Sequence, residues 1–540
     1  MSLAPEQTPL MEPLAVLSRF RKHDYSLTDF LAARIELLPD APAVQFEGRC
    51  WTYAELGERI GQWAGWLSNR NVGYGDRVAV MAANHAETVA LLFAVARLGA
   101  VLVPLNPDYG VPETEYVLDH AGVCGLIVTP ETADIADTAV AHGGLSVWRA
   151  CMGPDLAREI TQESMPSGAP RGQADDVFLI IYTSGTTGFP KGAMHGQRGY
   201  VLTAEAFIER LWLQPDERVM CVMPMFHVNA LMYSVGGALA SGATLLVVKR
   251  FSASTFWQTV RDLRATEVNL VAAAGAILAR RPRSEYVPGH GLKKMFVAPQ
   301  TQVMVDALRN EFHVPVLVEC YGMTEIPGVI SNPFHGPHIT GTMGVLCKHP
   351  DSEIARPQAR IVNDDGQDVA PGETGELLIK TPTMMLGYYN DPEQTRGALM
   401  QGWFKTGDLV KQDPNGYYRF VARKKDIIRR RGENIASAEL ERIIGEMPGV
   451  SDVAVIGVPS ELGEEDILAA VVAEPGVDVS AQAVGDWART HLAAVKVPRY
   501  VVFIDAVPLT PTHKPAKHRL KDDPDLLRRA HDLAVQVDKA

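Results

Sequence analysis

The chain has 540 residues, too many for one typical domain, so a large domain and at least one smaller one are expected. Hydrophobic residues make up 46% and charged residues 21%, which excludes wholesale disorder and fibrous repeats. The formal charge of -13 repels phosphate backbones and argues against nucleic acid as the main partner, so any polyanionic ligand needs a local site.

Met1 to Phe20 mixes prolines and acids with short apolar stretches and lacks a basic leader before an apolar core, so no signal peptide is expected. From Arg77 to about Glu325, apolar runs alternate with helix-periodic segments, as in parallel strands with crossover helices: Arg77 to Met81 then Glu87 to Leu98, Gly125 to Val128, Val177 to Tyr182, Val314 to Cys320. The longest apolar stretch, Val228 to Val248, is broken by Asn229, Ser234 and several glycines, and predicts a buried helix running into a strand rather than a membrane span. After about Gly341, turn signals such as Asp364-Asp365-Gly366 and Asp413-Pro414-Asn415-Gly416 separate short β-rich pieces. A new helix, Ala436 to Glu446, and the strands Val453 to Val458 and Ile467 to Val472 then begin, which places a domain boundary near Lys425. The expected fold is α/β: an N-terminal domain, 1–424, of layered α/β subdomains plus a β-rich subdomain, and a small α+β C-terminal domain, 425–540. The six cysteines form no CxxC pair, so neither a disulfide framework nor a structural zinc site is expected, and a cytoplasmic setting is the default.

The strongest local signal is Tyr182-Thr183-Ser184-Gly185-Thr186-Thr187-Gly188-Phe189-Pro190-Lys191-Gly192, directly after the apolar run ending at Ile181. Hydroxyls, glycines and one lysine on a strand-exit loop supply small donors, close backbone approach and a positive charge, which suits a triphosphate. Gly192 after Lys191 departs from GxxxxGK[ST], so the loop is not that of a P-loop NTPase. A plain flexible turn is the simpler alternative.

The stretch resembles the signature of the adenylate-forming superfamily, which includes acyl-CoA synthetases, nonribosomal-peptide adenylation domains and firefly luciferase. Tyr321-Gly322-Met323-Thr324-Glu325 is similar to its second signature, Gly402 to Leu409 to its third, Arg423 to Ile435 to its fourth, and Pro508 to Leu520 to its last. Five motifs stand in order between residues 182 and 520, whereas each alone would be weak.

The residues bear this reading on chemical grounds as well. Glu325 follows a strand end, where ligands of α/β sheets sit, and could hold the Mg²⁺ that ATP carries; an acid at a helix start is the alternative. Thr324 offers a hydroxyl to phosphate. Asp408 is either a turn residue or the acceptor of both ribose hydroxyls, and the resemblance favours ribose, with Arg423 as a cationic second contact. Tyr321 and Gly322 join Thr183 to Gly188 in the nucleotide site that the resemblance implies. Pro224 to Asn229 resembles the acyl-site motif, with His227, Val228, Asn229 and Gly322 at the acid; a satisfied core histidine is the other reading of His227. Lys514, between His513 and Pro515 where the family has glycine and an aliphatic residue, is implied to be the mobile catalytic lysine. Val297-Ala298-Pro299-Gln300 departs from the family's Gly-Gly-Ala-Pro turn near adenine.

The implied reaction has two halves. The acid attacks the α-phosphate of Mg-ATP to give an acyl-adenylate and pyrophosphate, and a thiol then displaces AMP. Lys191, Thr324, Glu325 with Mg²⁺ and Lys514 stabilise charge. The resemblance also implies rotation of the C-terminal domain about Lys425, which brings the Gly432 loop to line a thiol tunnel. The implied partners are a small carboxylic acid, ATP and coenzyme A, with neither nucleic acid nor membrane, and a homodimer is an open option. The basic run Arg429-Arg430-Arg431 is either a contact for coenzyme A phosphates or a solvated face. Arg429 to Asn434 most resembles ligases of small and aryl acids. The alternative acceptors are a carrier-protein thiol or an amine, and a further alternative is activation of a non-carboxylate acid, such as nitrite for diazotization. A catalytically silent nucleotide sensor is the rival from another class.

Overall fold

Residues 9–183, 190–430, 433–460, 464–509 and 515–534 are described by the structure, a computed structural model. The apolar runs form two large sheets. In one seven-stranded sheet the spatial order is Val316–Val318, Lys294–Ala298, Glu267–Val271, Arg218–Cys221, Thr244–Val247, Pro42–Phe46 and Arg49–Thr52, and every neighbouring pair is parallel except the last. The other seven-stranded sheet runs Gly387–Tyr388, Lys191–Gly196, Val177–Thr183, Val101–Leu105, Arg77–Met81, Gly125–Val128 and Trp148–Cys151. It is parallel from Val177–Thr183 onward and antiparallel at its other end.

The second sheet is covered on both sides, which is why its strands read as continuous apolar runs. Side chains alternate across a strand: Leu179 and Ile181 enter the main core, and Ile180 and Tyr182 a smaller one on the opposite face. Val177–Thr183 is therefore fixed from both faces up to the point where the phosphate-type loop begins. Helix Tyr53–Ser68 shows how local sequence sets an element's start: Thr52 and Glu55 form a reciprocal capping box, and the helix buries Trp63 and Trp66. The apolar stretch from Val228 becomes the π-helix Asn229–Val235, the α-helix Gly236–Ser241 and the strand Thr244–Val247, as its pattern predicts apart from the π geometry.

The chain forms two compact units, one comprising described residues of 1–359 and 379–404, the other those of 360–378 and 405–540. In the second unit, the Asp408 to Gln412 part of strand Trp403–Gln412 pairs antiparallel with Tyr418–Arg423, from Asp408↔Arg423 to Gln412↔Tyr418. From Ile428 onward the chain has cores of its own on a sheet of Val450–Pro459, Glu465–Ala473, Tyr500–Phe503 and His531–Asp532: one includes residues of helices Ser437–Gly445 and Ala481–His491, the other Leu520 and Leu526. Among the described residues no helix is long and apolar enough to cross a membrane.

Candidate active site

In the first unit, the strand ending at Thr183 and the one starting at Lys191 are antiparallel neighbours, with Thr183 opposite Lys191. Both ends of the phosphate-type loop are thereby pinned; Ser184, Gly185, Thr186, Thr187 and Gly188 themselves lie outside the described residues. Gly192 is required by packing, since a Cβ there would meet Ile180 Cγ2 at 2.7 Å. Gly387–Tyr388 pairs on the outer side of Lys191–Gly196, and Lys191 Nζ sits 5.7 Å from the centre of the Tyr388 ring.

Tyr388 connects this lysine to the second signature. Its hydroxyl donates to Glu325 Oε1 at 2.8 Å, and Met385 N donates to the Glu325 carbonyl at 2.8 Å. Burial and the facing carboxylate push the phenol pKa up, so the hydroxyl keeps its proton and acts as a donor. Glu325 is 7% exposed. It closes a tight turn in which Met323 and Ile326 exchange backbone hydrogen bonds, leaving Thr324 half-buried beside it. His195, on the strand that begins at Lys191, is buried against the Thr324 backbone; desolvation lowers its imidazole to about 4, so it stays neutral near neutral pH. The structure thus brings together Lys191, Thr324 and Glu325, which lie far apart in sequence. Tyr388 and His195 had no sequence signal, since each acts through a partner more than one element away.

Tyr321 and Gly322 lead into the same turn, with Tyr321 paired to Ile330 on the return strand. Just before them, Glu319 is 3% exposed; its Oε1 accepts from Gln300 N at 3.1 Å, and its Oε2 has no partner among the described residues. Burial raises this carboxyl to about 8. It is therefore mostly protonated at pH 7 and offers an O–H at the end of the parallel strands, a feature that a glutamate in a sequence does not announce. The raised folded pKa sets the sign of a pH effect. Stability is full below the unfolded value of about 4.3 and is lost as pH climbs toward 8, at up to ~1.4 kcal/mol per pH unit. Glu319→Gln removes that titration, so thermal melts should show the variant gaining on the wild type between pH 5 and 8. Parallel melting-temperature profiles would discount the raised pKa.

The acyl-type motif lies in the same unit. His227 N donates to Pro224 O at 3.1 Å, its ring tilts against Phe226 at 4.1 Å, and Val228 is buried. Asn229 opens the π-helix, and its Oδ1 is buried without a partner among the described residues. Such one-turn π segments occur frequently at functional sites.

The second unit holds the remaining candidates. Asp408 is fully buried, and Arg423 Nε lies 2.8 Å from its Oδ1, while Arg423 NH1 donates to Thr406 O at 3.1 Å. Asp408 N is in turn held by Thr406 Oγ1 at 3.0 Å. Lys425 is exposed in the one-turn helix Lys424–Asp426, while Lys424 beside it is tied to Glu376 and Asp364, both at 2.9 Å. Gly432 and Lys514 lie outside the described residues. The basic run proves to be neither a uniform solvated face nor a uniform phosphate contact. Arg430 is 7% exposed, pairs with Asp466 at 3.1 Å and donates to Val495 O and Val497 O, so it is committed within the fold, whereas Arg429 is exposed.

Residues 31–389 match the model of the AMP-binding enzyme family, and residues 439–514 that of the AMP-binding enzyme C-terminal domain. The chain is 35% identical over 490 residues to a feruloyl-CoA synthase of Amycolatopsis, covering 90% of this chain and 97% of that one. It is 33% identical over 502 residues to an indoleacetate–CoA ligase of Aromatoleum aromaticum, covering 91% and 96%. The crystal structure of ATP-bound MatB from Rhodopseudomonas palustris superposes with a TM-score of 0.81 at 29% identity, covering 92% of this chain and 98% of that one. The chain belongs to the AMP-binding enzyme family and is an AMP-forming ligase of the adenylate-forming superfamily.

Proposed function

We propose that this enzyme joins a small or aryl carboxylic acid to coenzyme A in two steps. In the first, a carboxylate oxygen attacks the α-phosphorus of Mg-ATP; the new P–O bond forms as the bond to pyrophosphate breaks. In the second, the thiol of coenzyme A attacks the acyl carbon, gives up its proton, and AMP leaves. No enzyme nucleophile is needed, so the chain's contribution is positioning and charge stabilisation. The observation that carries this reading is the assembly of Lys191, Tyr388, Glu325 and Thr324 at one place in the first unit.

The donor set suits the substrate. Lys191 is a cation for phosphate oxygens, Thr324 a hydroxyl donor, and Glu325 a buried carboxylate, held by Tyr388, that would bind the metal ATP brings with it. The buried Asp408 and its partner Arg423 are assigned to the ribose, and His227, Val228 and Asn229 to the acid. Lys514 and the Gly432 loop serve adenylation and thiol transfer respectively, with Lys425 as the hinge. A cytoplasmic setting is part of the proposal, supported by six unpaired cysteines. Acid-dependent exchange of labelled pyrophosphate into ATP tests the first step: exchange with at least one member of a broad acid panel is expected, and its absence throughout would refute the reading.

The hinge carries its own expectation. Proline fixes φ near roughly -65°, which a one-turn helix accepts but a rotating backbone does not. Lys425→Pro should therefore leave the adenylation rate within a few-fold of wild type and slow thiol transfer by about tenfold or more, measured separately by rapid quench. Equal losses in both halves would remove Lys425 from the hinge.

A further inference from the structure

Helix Gln197–Leu211 presents Arg210 inward near its end, with the residue only 3% exposed. Its Nε donates to Cys347 Sγ at 3.0 Å, and its NH1 is buried with no hydrogen-bond partner among the described residues. Among those residues no carboxylate is in salt-bridge contact with it; the adjacent Glu209 contacts Lys348 at 3.3 Å and acts on the guanidinium only through space. A guanidinium keeps its proton at any ordinary pH, and a thiol sulfur is a weak acceptor. A buried guanidinium N–H without an acceptor is costly, so a fold retains one where an acceptor comes to meet it.

Two glycines fix where this cation lies. A Cβ on Gly328 would sit 3.0 Å from Arg210 NH1 and 3.4 Å from the Tyr233 hydroxyl, and a Cβ on Gly322 would sit 2.4 Å from Gly328 N. The guanidinium and the phenol therefore share one patch with the backbone of the turn that carries Thr324 and Glu325. Tyr233 stands about one turn from Asn229 along the π-helix Asn229–Val235, which begins at the acyl-type motif. Three polar groups thus gather at this end of the motif, and two of them, Asn229 Oδ1 and Arg210 NH1, are buried and unpartnered among the described residues.

We propose that Arg210, with Tyr233, is the far-end anchor of the acyl pocket. The acid that is activated then carries a second anionic oxygen group, a carboxylate or a sulfonate, remote from the reacting carboxylate. Only the reacting carboxylate is adenylated, while the second group stays ionised against the guanidinium. Gly328 keeps the turn's backbone close to the guanidinium, and any side chain there would collide with NH1. The inference rests on the acid–coenzyme A ligase reading above and names its substrate class.

The test uses the full-length enzyme and matched acids of equal length, ending in carboxylate, sulfonate or methyl, with pyrophosphate release as readout for wild type, Arg210→Met and Arg210→Lys. Wild type should favour the anionic ends over methyl by about 10²-fold in kcat/KM, as expected for a desolvated charge-assisted pair. The carboxylate and sulfonate arms identify which anion fits. Arg210→Met should reverse the order and gain activity on the methyl-ended acid, a gain that a misfolded variant cannot show, while Arg210→Lys should keep part of the anionic preference. Pyrophosphate release with methyl-ended acids at a ratio unchanged by Arg210→Met would overturn the Arg210 assignment alone. No release with any acid would instead overturn the ligase reading, and this inference with it.

Discussion

Replacing Lys514 by alanine is expected to lower the rate of acyl-adenylate formation by about 10²- to 10³-fold, the usual loss when one donor to a developing charge is removed. The transition state of adenylation places extra negative charge on the α-phosphate, and of the cations in the last family motif Lys514 is the one assigned to it. The fold should tolerate the change. Leu509 and Pro515, on either side, are joined in an antiparallel bridge, and Ala516 N donates to Pro508 O at 2.7 Å, so the chain is clamped independently of the lysine side chain. The neighbouring Lys517 is already engaged with Glu441 at 2.7 Å and with Ser437, and cannot readily substitute. Thiol transfer from a chemically supplied acyl-adenylate should proceed at close to the wild-type rate. Rapid-quench measurement of both halves decides the matter: unchanged pyrophosphate release, or equal loss in both halves, would take Lys514 off the catalytic list.

Glu325→Gln should be nearly as damaging. Glutamine keeps a carbonyl oxygen that can accept from Tyr388, which now donates to Glu325 Oε1 at 2.8 Å, so the turn should survive. What disappears is the charge assigned to the metal on ATP. A loss of about 10²-fold in kcat/KM for ATP is expected, with the Mg²⁺ dependence displaced to higher concentration. Glu325→Ala should add a second defect by leaving the Tyr388 hydroxyl buried and unpaired, visible as a lower melting temperature. Mg²⁺ titrations of Glu325→Gln that superimpose on the wild-type curve would contradict the assignment.

The sequence was most informative where physical constraints are local. Arg77–Met81 and Gly125–Val128 have the bounds that their apolar runs predict, because strands buried on both faces must be apolar throughout. The turn-rich texture after residue 341 likewise became short strands. Motif order carried the family and the reaction type. What remained hidden was set by distance along the chain. Tyr388 reaches Glu325 across 63 positions, and Arg210 reaches Cys347 across 137, so neither contact leaves a periodic trace. A run of three arginines cannot reveal that the middle one bonds carbonyls 65 and 67 residues away. The protonated state of Glu319 follows from burial, which composition does not encode. The π-helix at Asn229–Val235 reflects tertiary packing rather than propensity, so an apolar helix was legible there but its winding was not.

The central claim, that an acyl group passes through adenylate to coenzyme A, is tested most directly by mass spectrometry of the products. Purified enzyme would be incubated with ATP, Mg²⁺, coenzyme A and a panel of acids that includes dicarboxylic and sulfonated members. The account predicts a new acyl-CoA mass for at least one acid, with AMP and pyrophosphate formed in equal amounts. Pyrophosphate release without any acylated coenzyme A, or the appearance of ADP and phosphate in place of AMP, would contradict it.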